Sequence, residues 1–336
     1  MKIYFIDTEY EIHLHGGMFE PSLYQDPSMA LPLLRLRQAI EMSGNKIYTA
    51  DRIEEFRSHF AEKFYISLGN HNRYQNLPKN INLLAIFLLE PPLVARGGYQ
   101  KLPELTKIFK AVYVHNIDGD GYSLTGVDKT KLQKLYCPQP FDDVQYPWWN
   151  ENNRINKVVA ISGNHNPGLR KPEYYSLRIK AVAELNKYKA IDLYGRGWDR
   201  WRSRQSMWWP YWRNFIALMQ TYRGSCESKI DVLSKYRFSL CLENMPMQGY
   251  ITEKIFDCFY AGTIPIYLGA SDIYQYIPKQ SMIDVRDYNS WSELWSEIST
   301  MSESRWNQYR VAAREFIKST SGLKFFNSLT SAILWQ

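Results

Sequence analysis

The chain has 336 residues, 45% hydrophobic and 22% charged, and 41 Lys and Arg against 34 Asp and Glu give a net charge of +7. At roughly 150 residues per domain two domains are expected, and the apolar content excludes a disordered chain. The longest uninterrupted apolar run is Leu83–Leu89, far short of the roughly 18 residues a bilayer span needs. Asp7, Glu9 and Glu11 interrupt the N-terminus, so neither a secretory leader nor a membrane-spanning protein is expected. The basic balance favours anionic partners. Lys and Arg never run four together, which argues against a nucleic-acid stripe. The four cysteines lack CxxC spacing; reduced thiols in a cytoplasmic protein, with no zinc site, are the expectation.

Lys2–Asp7 reads as a buried first strand. Pro32–Ser43 follows as a helix with Leu33, Leu36, Ala39 and Ile40 on one face, and Gly44 stops it. Lys46–Thr49, Phe64–Leu68, Leu83–Leu89 and Lys110–His115 are further short strand-like segments. Prolines, aspartates and asparagines between Cys137 and Asn153 mark a domain boundary. A second series follows: strand Lys157–Ser162, helix Glu173–Lys187, strand Ala190–Tyr194, an irregular Trp-rich stretch Ser203–Arg223, helix Lys229–Lys235, strand Arg237–Leu242, helix Glu253–Ala261 and strand Thr263–Leu268. Strands alternating with helices predict an α/β protein with parallel sheets. No internal repeat is visible. The expected division is 1–150, 151–318, and a C-terminal helix over 319–336 that packs back on the N-terminal domain.

Residues 236–269 carry the chemistry. A strand runs into the polar pair Glu243-Asn244. Thr252 then caps a helix that begins Glu253-Lys254 and buries Ile255, Phe256, Phe259 and Tyr260, and Gly262 ends it. This is a βαβ unit whose helix starts at the carboxyl end of a strand, where open α/β sheets bind ligands. Amide groups and the positive end of the helix dipole suit a pyrophosphate there, and Lys254 adds a charge. Glu253 suits ribose hydroxyls; a plain capping pair is the other reading of Thr252-Glu253.

The string Tyr236-x-Phe238, Glu243-Asn244, Tyr250-x-Thr252-Glu253-Lys254 and Ala261-Gly262-x-x-Pro265-Ile266-x-x-Gly269 resembles the signature of the α1,3/α1,4-fucosyltransferases, glycosyltransferase family ten. Further segments agree in order: Ile161-Ser162-x-Asn164 with Arg170, Asp192-Leu193-Tyr194-Gly195-Arg196, Lys229, Tyr276-Ile277-Pro278 and Ser281–Tyr288. The likeness covers roughly residues 158–290 and is to a bacterial-type soluble member. It implies a GT-B-like architecture, two Rossmann-like doubly wound domains facing a cleft, N-terminal for the acceptor and C-terminal for the donor. It implies an inverting enzyme that uses GDP-fucose, with Arg170, Asn244, Tyr250, Glu253, Lys254, Glu243 and Tyr194 binding the donor. Leu89-Glu90-Pro91-Pro92 resembles the family's LESP segment, with Pro91 in place of Ser, and Tyr113–Asp120 only echoes the segment that should follow. Glu90 is thereby the expected catalytic base, and Glu243 the second choice.

Asp118-Gly119-Asp120 has the form of a metal-holding pair, but it is also an ordinary Asp/Gly turn. No metal site and no required cofactor are expected, with a divalent cation at most stimulatory. His13-x-His15 and Trp198, Trp201, Trp208, Trp209 and Trp212 could line or cover a site, or simply pack. The expected partners are GDP-fucose and an oligosaccharide or lipid-linked glycan acceptor in surface-glycan or lipopolysaccharide synthesis, and no nucleic acid. The basic charge adds an expectation of peripheral association with the inner membrane face. Two alternatives stand: a different nucleotide-sugar donor on the same fold, and a non-catalytic glycan- or nucleic-acid-binding protein.

Overall fold

The computed structural model describes residues 1–69, 72–151, 153–168, 170, 172–200 and 207–334. They divide into two compact units, Met1–Pro140 together with the chain from Lys324 on, and Phe141–Leu323.

The first unit is built on strands β1 (Lys2–Thr8), β2 (Lys46–Thr49), β3 (Glu62–Leu68), β4 (Ile81–Phe87), β5 (Ala111–Val114) and β6 (Leu132–Lys134), with helices α1 (Leu31–Met42), α2 (Arg96–Gln100) and α3 (Leu102–Ile108) between them. The second contains α4 (Tyr146–Trp149), β7 (Ile155–Ile161), α5 (Tyr175–Asn186), β8 (Ile191–Tyr194), α6 (Trp209–Thr221), α7 (Lys229–Ser234), β9 (Tyr236–Leu242), α8 (Glu253–Ala261), β10 (Ile264–Leu268), β11 (Ile283–Asp284), α9 (Trp291–Ser299) and α10 (Glu303–Lys318). Two last helices, α11 (Thr320–Phe326) and α12 (Ser328–Leu334), complete the chain. Leu329, Ala332 and Ile333 of α12 enter the same core as Leu33, Leu36 and Ile40 of α1. The Tyr113 hydroxyl donates to the carbonyl of Ala332 at 3.1 Å.

The pairings in both sheets are parallel. The orders are β2-β1-β3-β4-β5-β6 and β11-β10-β9-β7-β8. Each sheet starts at an inner strand, steps outward once, then crosses back and continues the other way. The two units therefore share one doubly wound topology, a structural repeat with no trace in the sequence. In the second sheet the order reverses between β7 and β9, and the carboxyl ends at such a reversal are where open α/β sheets take ligands. Val158, Ala160, Phe238, Leu240, Ile264 and Ile266 bury one face of this sheet against α5, α6 and α9.

The stretch expected to be irregular is in part a helix. Tyr211 and Leu218 of α6 are buried and Phe215 packs partly against the same core, at i, i+4 and i+7, with Pro210 in the first turn where its missing N–H is harmless. Tryptophan and arginine on its other positions hide that period.

Candidate donor site at the start of helix α8

Glu243 follows β9 directly, and its side chain has 0% exposure. A carboxylate taken wholly out of water must be paired and hydrogen-bonded. Thr252 supplies its backbone N–H at 2.9 Å and its hydroxyl at 2.9–3.0 Å, and Lys254 Nζ stands 3.0 Å from Oε2. The same Thr252 oxygen accepts from Lys254 Nζ at 2.9 Å and caps the helix through the Lys254 amide. The capping threonine and the first-turn lysine are thus tied to one buried acid.

Lys254 keeps 27% of its side chain exposed. Burial works against its charge, but Glu243 and then Glu253 outweigh burial and raise its pKa. Glu253 turns outward, 45% exposed and 3.8 Å from Lys254 Nζ. Burial favours its neutral form, yet Lys254 and then Lys229 hold it down at about 2. At neutral pH the helix therefore begins with a fixed cation and a fixed anion side by side.

The expectation for Glu243 as a second-choice base changes here. Both carboxylate oxygens are engaged and no part of the side chain meets solvent, so it cannot receive a proton from an incoming hydroxyl. It serves as the counter-charge that fixes Lys254. Gly269, at the end of β10, makes room for it. A Cβ there would sit 2.6 Å from Glu243 Cγ and against the Tyr267 hydroxyl.

Asn244 donates from Nδ2 to the Tyr250 hydroxyl at 3.2 Å, and its carbonyl accepts the Tyr174 N–H at 2.9 Å. Asn244, Tyr250, Glu253, Lys254 and Glu243 are thereby brought together. Arg170 is exposed on the loop between β7 and α5. Tyr194 belongs to a neighbouring network: its hydroxyl lies 3.5 Å from that of Tyr236, which donates to Asp192 at 3.1 Å. Glu90 is an exposed residue just past β4 in the first unit.

Arg178 is a residue that motif reading misses. It is buried on α5, and Nη2 donates to the carbonyl of Leu242 at 2.8 Å, where β9 meets Glu243. Burial lowers its pKa, opposed by Tyr175 and Glu243 among others. The available signal was periodicity: Tyr175, Arg178, Ile179, Val182 and Leu185 share the buried face of α5. A charge at a core position of an amphipathic helix asks for a partner.

The remaining candidates resolve into local structure. Asn116 Oδ1 accepts the backbone N–H groups of Asp118 and Asp120 at 3.0 and 2.9 Å, an Asx-type turn. Among the described residues no group of three or more His, Cys, Asp or Glu side chains could hold a metal ion. His13 stacks on Tyr24 and His15 pairs with Asp51 at 3.0 Å. Trp198 is buried, and its Nε1 donates to the carbonyl of Ser162 just past β7 at 2.6 Å. Trp208 and Trp212 pack partly on the core, Trp209 is 72% exposed, and Trp201 lies outside the described residues.

Residues 170–316 match the family model of the glycosyltransferase family 10 (fucosyltransferase) C-terminal domain. Over this stretch the chain is similar to the family 10 glycosyltransferases. An α-(1,3)-fucosyltransferase of Helicobacter pylori is 39% identical over 77 residues, 23% of this chain and 16% of that protein. A 4-galactosyl-N-acetylglucosaminide 3-α-L-fucosyltransferase of Bos taurus is 31% identical over 144 residues, 42% of this chain and 32% of that protein. The matched part therefore spans a third or less of the length of these relatives. In three dimensions, a crystal structure of an α1,3-fucosyltransferase with GDP superposes with a TM-score of 0.53 at 14% identity, over 98% of this chain and 91% of that one. The chain thus has the two-sheet GT-B fold. No helix among the described residues is long and apolar enough to cross a membrane.

Proposed function

We propose that the protein transfers L-fucose from GDP-fucose to a hydroxyl of an oligosaccharide or lipid-linked glycan, with inversion at the anomeric carbon. The observation that carries this reading is the start of α8, where Thr252, Lys254 and buried Glu243 form one charge-balanced unit inside the stretch similar to family 10. A helix N-terminus beside a lysine meets the needs of a departing diphosphate. Glu253, ionised and outward, suits ribose hydroxyls, and Arg170 adds a second cation able to hold phosphate by a two-pronged contact.

The acceptor oxygen attacks the anomeric carbon on the face opposite the diphosphate. The bond from that carbon to the β-phosphate oxygen breaks, its electron pair leaves with GDP, and the hydroxyl proton passes to a carboxylate. Glu90 is that base in this reading. It is exposed, as a base must be, and a positioned base is typically worth 10²- to 10⁴-fold. With Lys254, Arg170 and a helix end serving the diphosphate, a divalent cation is at most stimulatory. Surface-glycan or lipopolysaccharide synthesis at the cytoplasmic face of a membrane fits the net charge of +7.

The experiment is a calorimetric titration with GDP, followed by a transfer assay over a panel of nucleotide sugars and oligosaccharides with and without EDTA. GDP binding, fucose transfer and persistence of transfer in EDTA are expected. Glu90→Gln is expected to bind GDP normally and to lose transfer. Absence of GDP uptake by the folded wild-type protein removes the assignment.

A further inference from the structure

The carboxyl edge of the second sheet holds one more built element. Asp284 ends β11, its side chain 2% exposed. It takes the Arg286 guanidinium edge-on, Nε at 2.9 Å from Oδ1 and Nη2 at 2.6 Å from Oδ2, and accepts the Tyr274 hydroxyl at 2.6 Å. Nη1 of Arg286 donates to the carbonyl of Ala270, just past β10, at 3.3 Å. A guanidinium has five N–H donors, so these contacts leave it with two, on a side chain still 34% exposed. The arginine is held by a buried acid rather than loose on the surface.

Its place relative to α8 is informative. Lys229, which acts on Glu253, begins α7, and Ile230 and Leu233 of α7 share a core with Val159 of β7, Tyr236 of β9 and Cys258 and Ala261 of α8. Arg286 follows β11, at one end of the strand order. The hydroxyl of Tyr267 links the two sides: burial and then Glu243 raise its pKa while Arg286 works to lower it, and it accepts the Ala270 N–H at 3.0 Å. Tyr174, whose N–H bonds the Asn244 carbonyl, also lies within the field of Arg286. Arg286 is anchored on the carbonyl of Ala270, next to Gly269, which packs on Glu243, the partner of Lys254; it therefore stands beside the Lys254 end of the site.

The charge balance narrows the ligand group further. Lys254 with Glu243 and Arg286 with Asp284 are both charge-balanced pairs, but only Lys254 also stands at the positive end of a helix, so a diphosphate is drawn to Lys254 and Arg286 is left to neutral groups. A hydroxyl or ring oxygen meets N–H donors and no net field. We propose that Arg286, positioned by Asp284, donates hydrogen bonds to the transferred sugar and sets which sugar the enzyme accepts. The inference rests on the reading of α8 as a nucleotide-sugar site.

The test is titration of GDP and of GDP-fucose into wild type, Arg286→Gln and Arg286→Lys, with thermal melts as a check on folding. Arg286→Gln is expected to bind GDP as wild type does and to lose about tenfold in affinity for GDP-fucose, the scale of one or two hydrogen bonds. Arg286→Lys, which keeps the charge and loses the fork, is expected to fall between. In transfer assays KM for GDP-fucose rises and discrimination against GDP-mannose relaxes. Unchanged GDP-fucose affinity in a folded Arg286→Gln protein overturns the inference, as does an equal loss for GDP and GDP-fucose, which would place Arg286 on the nucleotide. A wild type that binds neither ligand brings down the α8 reading itself, an outcome recognisable because no substitution is involved.

Discussion

Lys254 Nζ stands 3.0 Å from Oε2 of Glu243, a side chain with no exposure to solvent. The lysine is therefore structural as well as available to a ligand, and the two roles separate only when both partners are changed. Lys254→Ala leaves a carboxylate buried without its counter-charge, which typically costs about 3–5 kcal/mol. Lost GDP binding in that variant is then ambiguous. Glu243→Gln combined with Lys254→Gln removes both charges and keeps polar groups opposite Thr252. Chemical denaturation should show the double variant far closer to wild type than Lys254→Ala, and calorimetry should show GDP affinity lost in both. A double variant that binds GDP normally means Lys254 does not hold the diphosphate.

The two first-turn charges give opposite signs of pH dependence. Lys254 has a raised pKa in the fold, so its contribution is complete below its ordinary value of 10.5 and is lost only as pH rises past the folded value. It adds no slope near neutrality. Glu253 is held down at about 2 from an ordinary 4.5. Its contribution is complete above 4.5 and disappears as pH falls from 4.5 through about 2. Urea melts of wild type and Glu253→Gln across pH 2–6 should converge at the acid end of this window and separate above it. Parallel curves over the whole range would mean Glu253 is not held by Lys254 and Lys229.

Two glycines test steric fit near and far from the site. At Gly269 an added methyl meets Glu243 Cγ at 2.6 Å and the Tyr267 hydroxyl, both on well-packed neighbours. Gly269→Ala is expected to cost about 1–3 kcal/mol, as overpacking does, and to raise KM for the donor by shifting Glu243. Gly97 lies within α2 with nothing within 4 Å of its would-be Cβ. Gly97→Ala should stabilise by about 0.5–1 kcal/mol through helix propensity and leave kinetics unchanged. Denaturation midpoints of the two variants on either side of wild type are the expected result.

Much of this was legible because it is local. Thr252 as cap, the apolar face Ile255, Phe256 and Phe259, and Gly262, which closes α8 at φ 72°, are short-range signals, and the helix spans the residues they mark. What stayed hidden depends on tertiary pairing. Glu243 is adjacent to Asn244 in a polar loop and gives no sign that its carboxylate will be sealed under Thr252. The two-residue strand Ile283–Asp284 is too short to show alternation, so nothing local marks Asp284 as the buried partner of Arg286. Helix α6 was obscured because its Trp and Arg residues read as surface chemistry before they read as a period. The likeness of the two sheets lies in strand order alone, and strand order leaves no imprint on composition.

Arg178 offers the sharpest remaining test of how the site is braced. Its Nη2 holds the Leu242 carbonyl at 2.8 Å, and its charge lies within the field of Glu243. If it only caps the end of β9, its loss should be independent of Glu243. If it shares the balance of that carboxylate with Lys254, the two losses should not add. Arg178→Met, Glu243→Gln and the double variant form the cycle, and contacting charged groups couple by about 0.5–3 kcal/mol in such cycles. Coupling in that range is expected from denaturant melts, with Glu243→Gln less harmful once the arginine is gone. Additivity within about 0.5 kcal/mol would reduce Arg178 to a carbonyl cap and leave Lys254 as the principal counter-charge of the buried acid.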